Sequence, residues 1–128
     1  MKCIEPGWKH ATTGYSQGIE VNLSGRRLVI SGQVGVDAEG NLPTELEGQT
    51  RNCFRNIFDI LAAAGMAKHN LIRHVVYATR SDKETLKTYR AVRDEMMEGH
   101  LMGATFVGVQ ALAHPKLLIE IEAEAVVE

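Results

Sequence analysis

Apolar and charged positions alternate strictly near the end of the chain. Ile119, Ile121, Ala123 and Ala125 take one parity and Glu120, Glu122 and Glu124 the other. Successive side chains of a strand point to opposite faces, so this segment predicts a strand with one apolar and one acidic face. A second β-rich run begins at Ala104, and the two read as a closing strand pair that flanks an Ala113-His-Pro-Lys116 break. Earlier, residues 15–36 read as two antiparallel strands, Tyr15–Asn22 and Arg27–Val36, around a Leu-Ser-Gly-Arg turn. In the second of these, Leu28, Ile30, Gly32, Val34 and Val36 share one face, and Val29, Ser31, Gln33 and Gly35 share the other. The latter face is too polar and too small for an ordinary core and suits a surface that something else approaches closely.

Between the strands the period changes. Leu46, Thr50, Cys53, Phe54, Ile57, Phe58, Leu61 and Ala62 recur at three- and four-residue spacing, predicting an amphipathic helix over 45–64 with Gly65 as its stop. A loop of turn formers, Asp37 to Pro43, precedes it, and a strand over 71–79 follows. Ser81 or Asp82 offers the N-cap of a second helix, about Lys83 to Glu98, closed by Gly99. The order ββαβαββ predicts an α+β two-layer sandwich, two helices on one face of a mixed sheet, in a single domain spanning 1–128. The other sheet face, with Ser31, Gln33 and the glutamates, has no cover within the chain, which predicts oligomerisation through it.

Composition narrows the functional classes. A formal charge of −2 provides no whole-molecule basic field for nucleic acid or anionic lipid. No apolar run approaches the ~20 residues of a membrane span. The segment MKCIEPGWKH lacks the apolar core of a signal peptide, and the only cysteines are Cys3 and Cys53, so the cytoplasm is the expected address and a disulfide is not expected.

Candidate chemistry is sparse. His10, His69, His74, His100 and His114 do not fall at metal-ligand spacing with one another or with cysteine or carboxylate, so no metal site is expected. There is no G-x-S-x-G elbow, no P-loop and no dinucleotide fingerprint. Glu120 reads either as a solvated strand carboxylate or as one at a subunit interface, placed for general acid/base work. Tyr15 is either an aromatic capping a strand start or a phenol that touches a ligand. Arg90 and Arg93 fit a solvated helix face, and Arg26 and Arg27 a solvated turn.

Several stretches together resemble the RidA/YjgF family, also called endoribonuclease L-PSP: Tyr15-Ser16-Gln17, Ser31-Gly32-Gln33-Val34, Gln49-Thr50-Arg51 with Asn56, Ala64-Gly65 and Ile119-Glu-Ile-Glu-Ala123, over about residues 8 to 127. The resemblance implies a chorismate-mutase-like fold assembled as a homotrimer around a central barrel, with small-molecule clefts between subunits. The activity it implies is hydrolysis of enamine or imine intermediates to 2-oxo acids and ammonia, without cofactor or metal. Tyr15, Ser31 and the adjoining Gly32 match substrate-contacting positions, and Glu120 matches the carboxylate that holds the attacking water. Such chemistry suits these residue types, because an imine carbon is already electrophilic and water needs only orientation and a proton acceptor.

The departures are equally specific. Deaminating members grip the substrate carboxylate with an arginine in a Pro-Ala-Arg-Ser run, where this chain has Gly103-Ala104-Thr105-Phe106. Val107 stands where those members have a cysteine, and Arg90 where they have a ligand-contacting asparagine. A charge-assisted hydrogen bond contributes about 1.5–3 kcal/mol, so its loss should weaken 2-imino acid binding on the order of 10²-fold. Two expectations follow: a trimeric hydrolase acting on a small imine, enamine or carbonyl compound through Glu120, or a non-catalytic metabolite-binding or chaperone-like trimer. An endoribonuclease is disfavoured, because the chain has no basic face or aromatic ladder for RNA.

Overall fold

The apolar faces predicted above meet across two layers. The computed structural model describes residues 1–7 and 14–128; His10 lies outside the described residues. The chain runs through β1 (Lys2–Ile4), β2 (Gly18–Glu20), β3 (Arg26–Val34), α1 (Leu46–Ala63), a 3-10 turn (Lys68–Asn70), β4 (Leu71–Ala78), α2 (Lys83–Met97), β5 (Gly103–Gly108) and β6 (Ile119–Val127). The large sheet has the order β3-β6-β4-β5, antiparallel at the first two junctions and parallel between β4 and β5. Both helices cover one face of it, giving the expected α+β sandwich. The core joins Cys53, Phe54, Ile57 and Leu61 of α1 and Tyr89 and Val92 of α2 to Ile30, Val76, Ile119, Ile121 and Ala123 of the sheet.

The helix signals act where the residues predicted. Asp82 caps α2 by accepting the Thr85 N–H at 2.9 Å, and α1 ends in a Schellman turn. There Met66 N–H reaches Leu61 O at 2.8 Å and Gly65 N–H reaches Ala62 O at 3.0 Å, with Gly65 at φ +71°.

Three strand details depart from expectation. The segment after Tyr15 does not pair with the strand that follows it. Instead β2 pairs with β1, Cys3 opposite Ile19, and β3 pairs with β6. A three-residue β2 cannot compete for β3 with the nine-residue apolar ladder of β6. Nor do β5 and β6 adjoin, because β4 lies between them; the Ala113–Lys116 break belongs to a crossover rather than to a hairpin.

The third departure is a bulge. The register runs Ile30 opposite Ala123, then Gln33 opposite Ile121 and Val34 opposite Glu120, so one extra residue enters β3 between Ile30 and Gln33. After it the parity inverts. Gly32 and Val34 turn to the open face and Gln33 and Gly35 to the helix side, the reverse of the simple alternation. A Cβ on Gly35 would lie 2.5 Å from Gln49 Cα, and one on Gly32 would lie 2.1 Å from Glu120 Oε2. Polar groups of α1 hold the bulged end: Asn52 Nδ2 donates to Gly35 O at 3.1 Å, and Asn56 Nδ2 to Val34 O at 3.0 Å and Val36 O at 2.9 Å.

Gln49 does the same for two loops. Fully buried, it donates to Pro43 O at 2.8 Å and Lys116 O at 3.0 Å and accepts from Leu118 N–H at 2.8 Å. A buried backbone group that loses its partner costs about 1–3 kcal/mol. Gln49→Leu, which orphans three such groups, is therefore expected to lower the unfolding free energy by about 2–4 kcal/mol in urea titrations.

Candidate functional site

The open sheet face is organised in rows set by strand register. Glu124, Arg73 and Gly103 form one, Glu122, Val75 and Thr105 the next, and Glu120, Tyr77 and Val107 the third. Two of the three glutamates are engaged within the chain. Glu124 Oε1 lies 3.1 Å from Arg27 Nη2 and 3.8 Å from Arg73 Nη1. Glu122 accepts the Tyr77 hydroxyl, and that bond holds the Tyr77 phenol above its ordinary pKa. The Glu120 carboxylate, among the described residues, has no hydrogen bond and no ion pair. It lies against the backbone of Gly32 at the bulge, with exposed Ser31 adjoining.

Tyr15 belongs to a second cluster. The segment before β2 straps across the start of β5: Ser16 N–H donates to Met102 O at 2.9 Å. The buried Ser16 hydroxyl lies 2.6 Å from Glu5 Oε1 and 2.8 Å from Gly18 O, sharing one proton between two acceptors. This sets half-buried Tyr15 over Ala104 and Thr105, between two clefts. One, about 180 Å³, is lined by Tyr15, Arg90, Arg93, Thr105 and the apolar Leu86 and Phe106, with others. The other, about 320 Å³, brings Arg73 and Ile72 to the same Tyr15 and Thr105.

The arginines owe their position to α2, where Leu86, Tyr89, Arg90 and Arg93 form one stripe at helical spacing. Arg90 is exposed. Arg93 has a side chain only 4 % exposed; its Nε donates to Asp94 Oδ1 at 2.9 Å, and its guanidinium carbon lies 5.5 Å from the Tyr89 ring centre. Tyr89 in turn is hydrogen-bonded to His74 of β4. Burial pushes the Tyr89 phenol up to about 12, against the opposing effect of Arg93. Burial, aided by Arg93, pushes His74 down to about 3.

Thus the sequence-predicted residues fall into two groups. Tyr15, Arg90 and Thr105 share a cleft; Ser31, Gly32 and Glu120 meet at the bulge; Val107 shares a row with Glu120 across Tyr77. Strand spacing of about 4.8 Å and a rise of about 3.3 Å separate Thr105 from Glu120 by about 10 Å across the face and ~7 Å along it. Arg73, Tyr77 and Ser16 extend the reading, and Arg93, expected on a solvated helix face, is instead buried against Tyr89 and Asp94. Alternation within the run 71–79 could have placed Arg73 and Tyr77 on the acidic face; no local signal announces the Ser16 strap. Among the described residues no three His, Cys, Asp or Glu side chains gather as metal ligands, and no helix is long and apolar enough to cross a membrane.

Relatives share this architecture. The sequence profile of the Endoribonuclease L-PSP family matches residues 8–127, so the chain belongs to that family, the one that includes the YjgF and RidA proteins. YyfB of Yersinia pestis, a Rid-family protein of unknown function, is 35% identical with a TM-score of 0.90, covering 98% of each chain. Escherichia coli TdcF, solved with bound serine, is 29% identical with a TM-score of 0.74 over 100% of both chains. A RutC-family protein of Aquifex aeolicus is 38% identical over 66 residues, 51% of this chain and 50% of that protein, so the match spans half of that relative.

The buried histidine gives a pH signature. Unfolded, His74 takes up a proton near pH 6.5; folded, it does so only near 3. Between those values the unfolded state binds more protons, so stability from this group is complete above pH 6.5 and declines as pH falls, by up to about 1.4 kcal/mol per unit. Urea-unfolding free energies measured from pH 7 to 4.5 should fall more steeply for the native chain than for His74→Gln, even though the variant starts lower. Equal slopes would contradict the assignment.

Proposed function

We propose that this protein adds water to a small reactive imine, enamine or carbonyl metabolite, in a cleft completed by a neighbouring copy of the chain within a homotrimer. The observation that carries this reading is the Glu120 carboxylate, held over Gly32 without a hydrogen-bond or ion-pair partner among the described residues while Glu122 and Glu124 are engaged. A second copy is invoked because Glu120 and the Tyr15–Thr105 cleft are too far apart for one small ligand to touch both within a subunit. Exposed Val29 and Val107 on the same face favour its being covered.

In this reaction water adds to the carbon of a C=N bond as Glu120 takes its proton. That proton passes to nitrogen, and the carbinolamine collapses to a carbonyl with loss of ammonia. Tyr15, Ser31 and Thr105 supply hydroxyls to orient the ligand. Gly32 leaves room at the reacting atoms, and Val107 lines the face. No cofactor or metal enters the scheme. The serine held by TdcF is a ligand of the size and polarity this scheme requires. An RNA backbone suits the site poorly, because three glutamates on the open face would repel phosphates.

A non-catalytic, metabolite-binding or chaperone-like trimer is the second reading, favoured by Thr105 and Val107 standing where the resemblance places the arginine and cysteine of deaminating members. One assay separates the two. Ammonia release from 2-aminoacrylate and related amino-acid-derived imines is expected to exceed the uncatalysed rate, and Glu120→Gln is expected to lower it about 10²-fold or more. A native protein no faster than buffer across that panel refutes the hydrolase and leaves the binding trimer.

A further inference from the structure

The smaller of the two clefts at Tyr15 has a one-sided charge. Its lining carries two guanidiniums, Arg90 and Arg93, with the hydroxyls of Tyr15 and Thr105, and among the described residues no carboxylate lines it, although Asp94 pairs with Arg93 beside it. This happens in a chain whose net charge is −2, so the positive field is local. Arg27, Arg51, Arg73, Arg80 and Arg93 each have a carboxylate within ion-pair distance. Arg90 has none among the described residues, although it sits one turn from Arg93 and at the cleft mouth.

The two arginines have different settings. Arg93 is buried, its Nε on Asp94, and its terminal nitrogen lies so close to Gly14 that a Cβ there would approach to 2.0 Å. It is a fixed part of the wall that adds positive potential in a water-poor setting. Arg90 is exposed and can present its planar fork of donors inward, with Leu86, Ala104 and Phe106 as apolar walls for the rest of a ligand. A guanidinium fork matches a carboxylate bidentately.

We propose that Arg90, carried by α2 and backed by buried Arg93, is the residue that binds the carboxylate of a small 2-oxo or 2-imino monocarboxylate in the cleft beside Thr105. The charge that strand β5 lacks at Thr105 is thereby supplied from the helix that packs along its edge. The inference rests on the proposed water-addition reading for its substrate class, but the anion site is separable from Glu120.

Pyruvate, a stable 2-oxo monocarboxylate, and its uncharged amide are suitable probes for titration calorimetry on the full chain. Pyruvate should bind and pyruvamide should bind at least tenfold more weakly. Arg90→Gln should weaken pyruvate about 10- to 100-fold, while Arg90→Lys restores part of the loss by keeping the charge without the fork. Arg80→Gln, beyond the far end of β4 and ion-paired with Asp82, should leave binding unchanged. Arg90 is exposed, so a shared melting temperature shows that the variants fold alike. Absence of pyruvate binding, indifference to Arg90→Gln, or equal affinity for the amide overturns the proposal. Glu120→Gln distinguishes the two readings: it should lower turnover about 10²-fold or more and leave pyruvate affinity within about threefold. Arg90-dependent binding without Glu120-dependent turnover overturns only the hydrolase, and the converse overturns only the Arg90 site.

Discussion

Everything in this structure leans on β6. It is an interior strand, paired on both edges, with β3 on one side and β4 on the other, and its two faces have opposite needs. Ile119, Ile121, Ala123 and Ala125 are buried under the helices. Removing such side chains from water, at about 25 cal/mol per Å², is what fixes the strand's register. Once fixed, that register dictates where the three glutamates stand on the other face. A slip of one residue would bury the carboxylates and expose the core, so the acidic face is as firmly determined as the apolar one.

From this follows a division of labour among chemically identical side chains. Arg27 and Arg73 converge on Glu124 from two neighbouring strands, and Tyr77 meets Glu122. Glu120 faces the bulge, where Gly32 has no side chain to fill the space. The cationic cleft beside Thr105 lies at the opposite edge of the same sheet, reached by β5 and by the α2 stripe. Glu120 and the cationic cleft thus lie two strands apart, and the proposed site needs another copy of the chain to bring them together.

Much of the architecture was legible in the residues because it is written locally. Period-two alternation gave β6, three- and four-residue spacing gave α1, and Asp82 and Gly65 marked helix ends. The parts that escaped are those decided by competition or by long-range convergence. A bulge adds one residue with no signature beyond a glycine, so the parity of Gln33 and Gly35 inverted. β2 went to β1 because β6 is the better partner for β3. Tyr15, Arg90 and Thr105 come from a strap, a helix and an edge strand, brought together by long-range contacts such as the Ser16–Met102 hydrogen bond and by the α2 stripe. Gln49 and Asn56, among the residues on which the family resemblance was read, hold loops and the bulged strand end by side-chain hydrogen bonds to the backbone.

On the function proposed above, further copies of the chain cover the open face of this sheet and unite Glu120 with the cleft at Thr105. Sedimentation equilibrium of the purified chain tests it most directly. A homotrimer should sediment as a single species at three times the 14.1 kDa chain mass, stable on dilution through the micromolar range. A species that remains at 14.1 kDa while retaining Glu120-dependent turnover would contradict it.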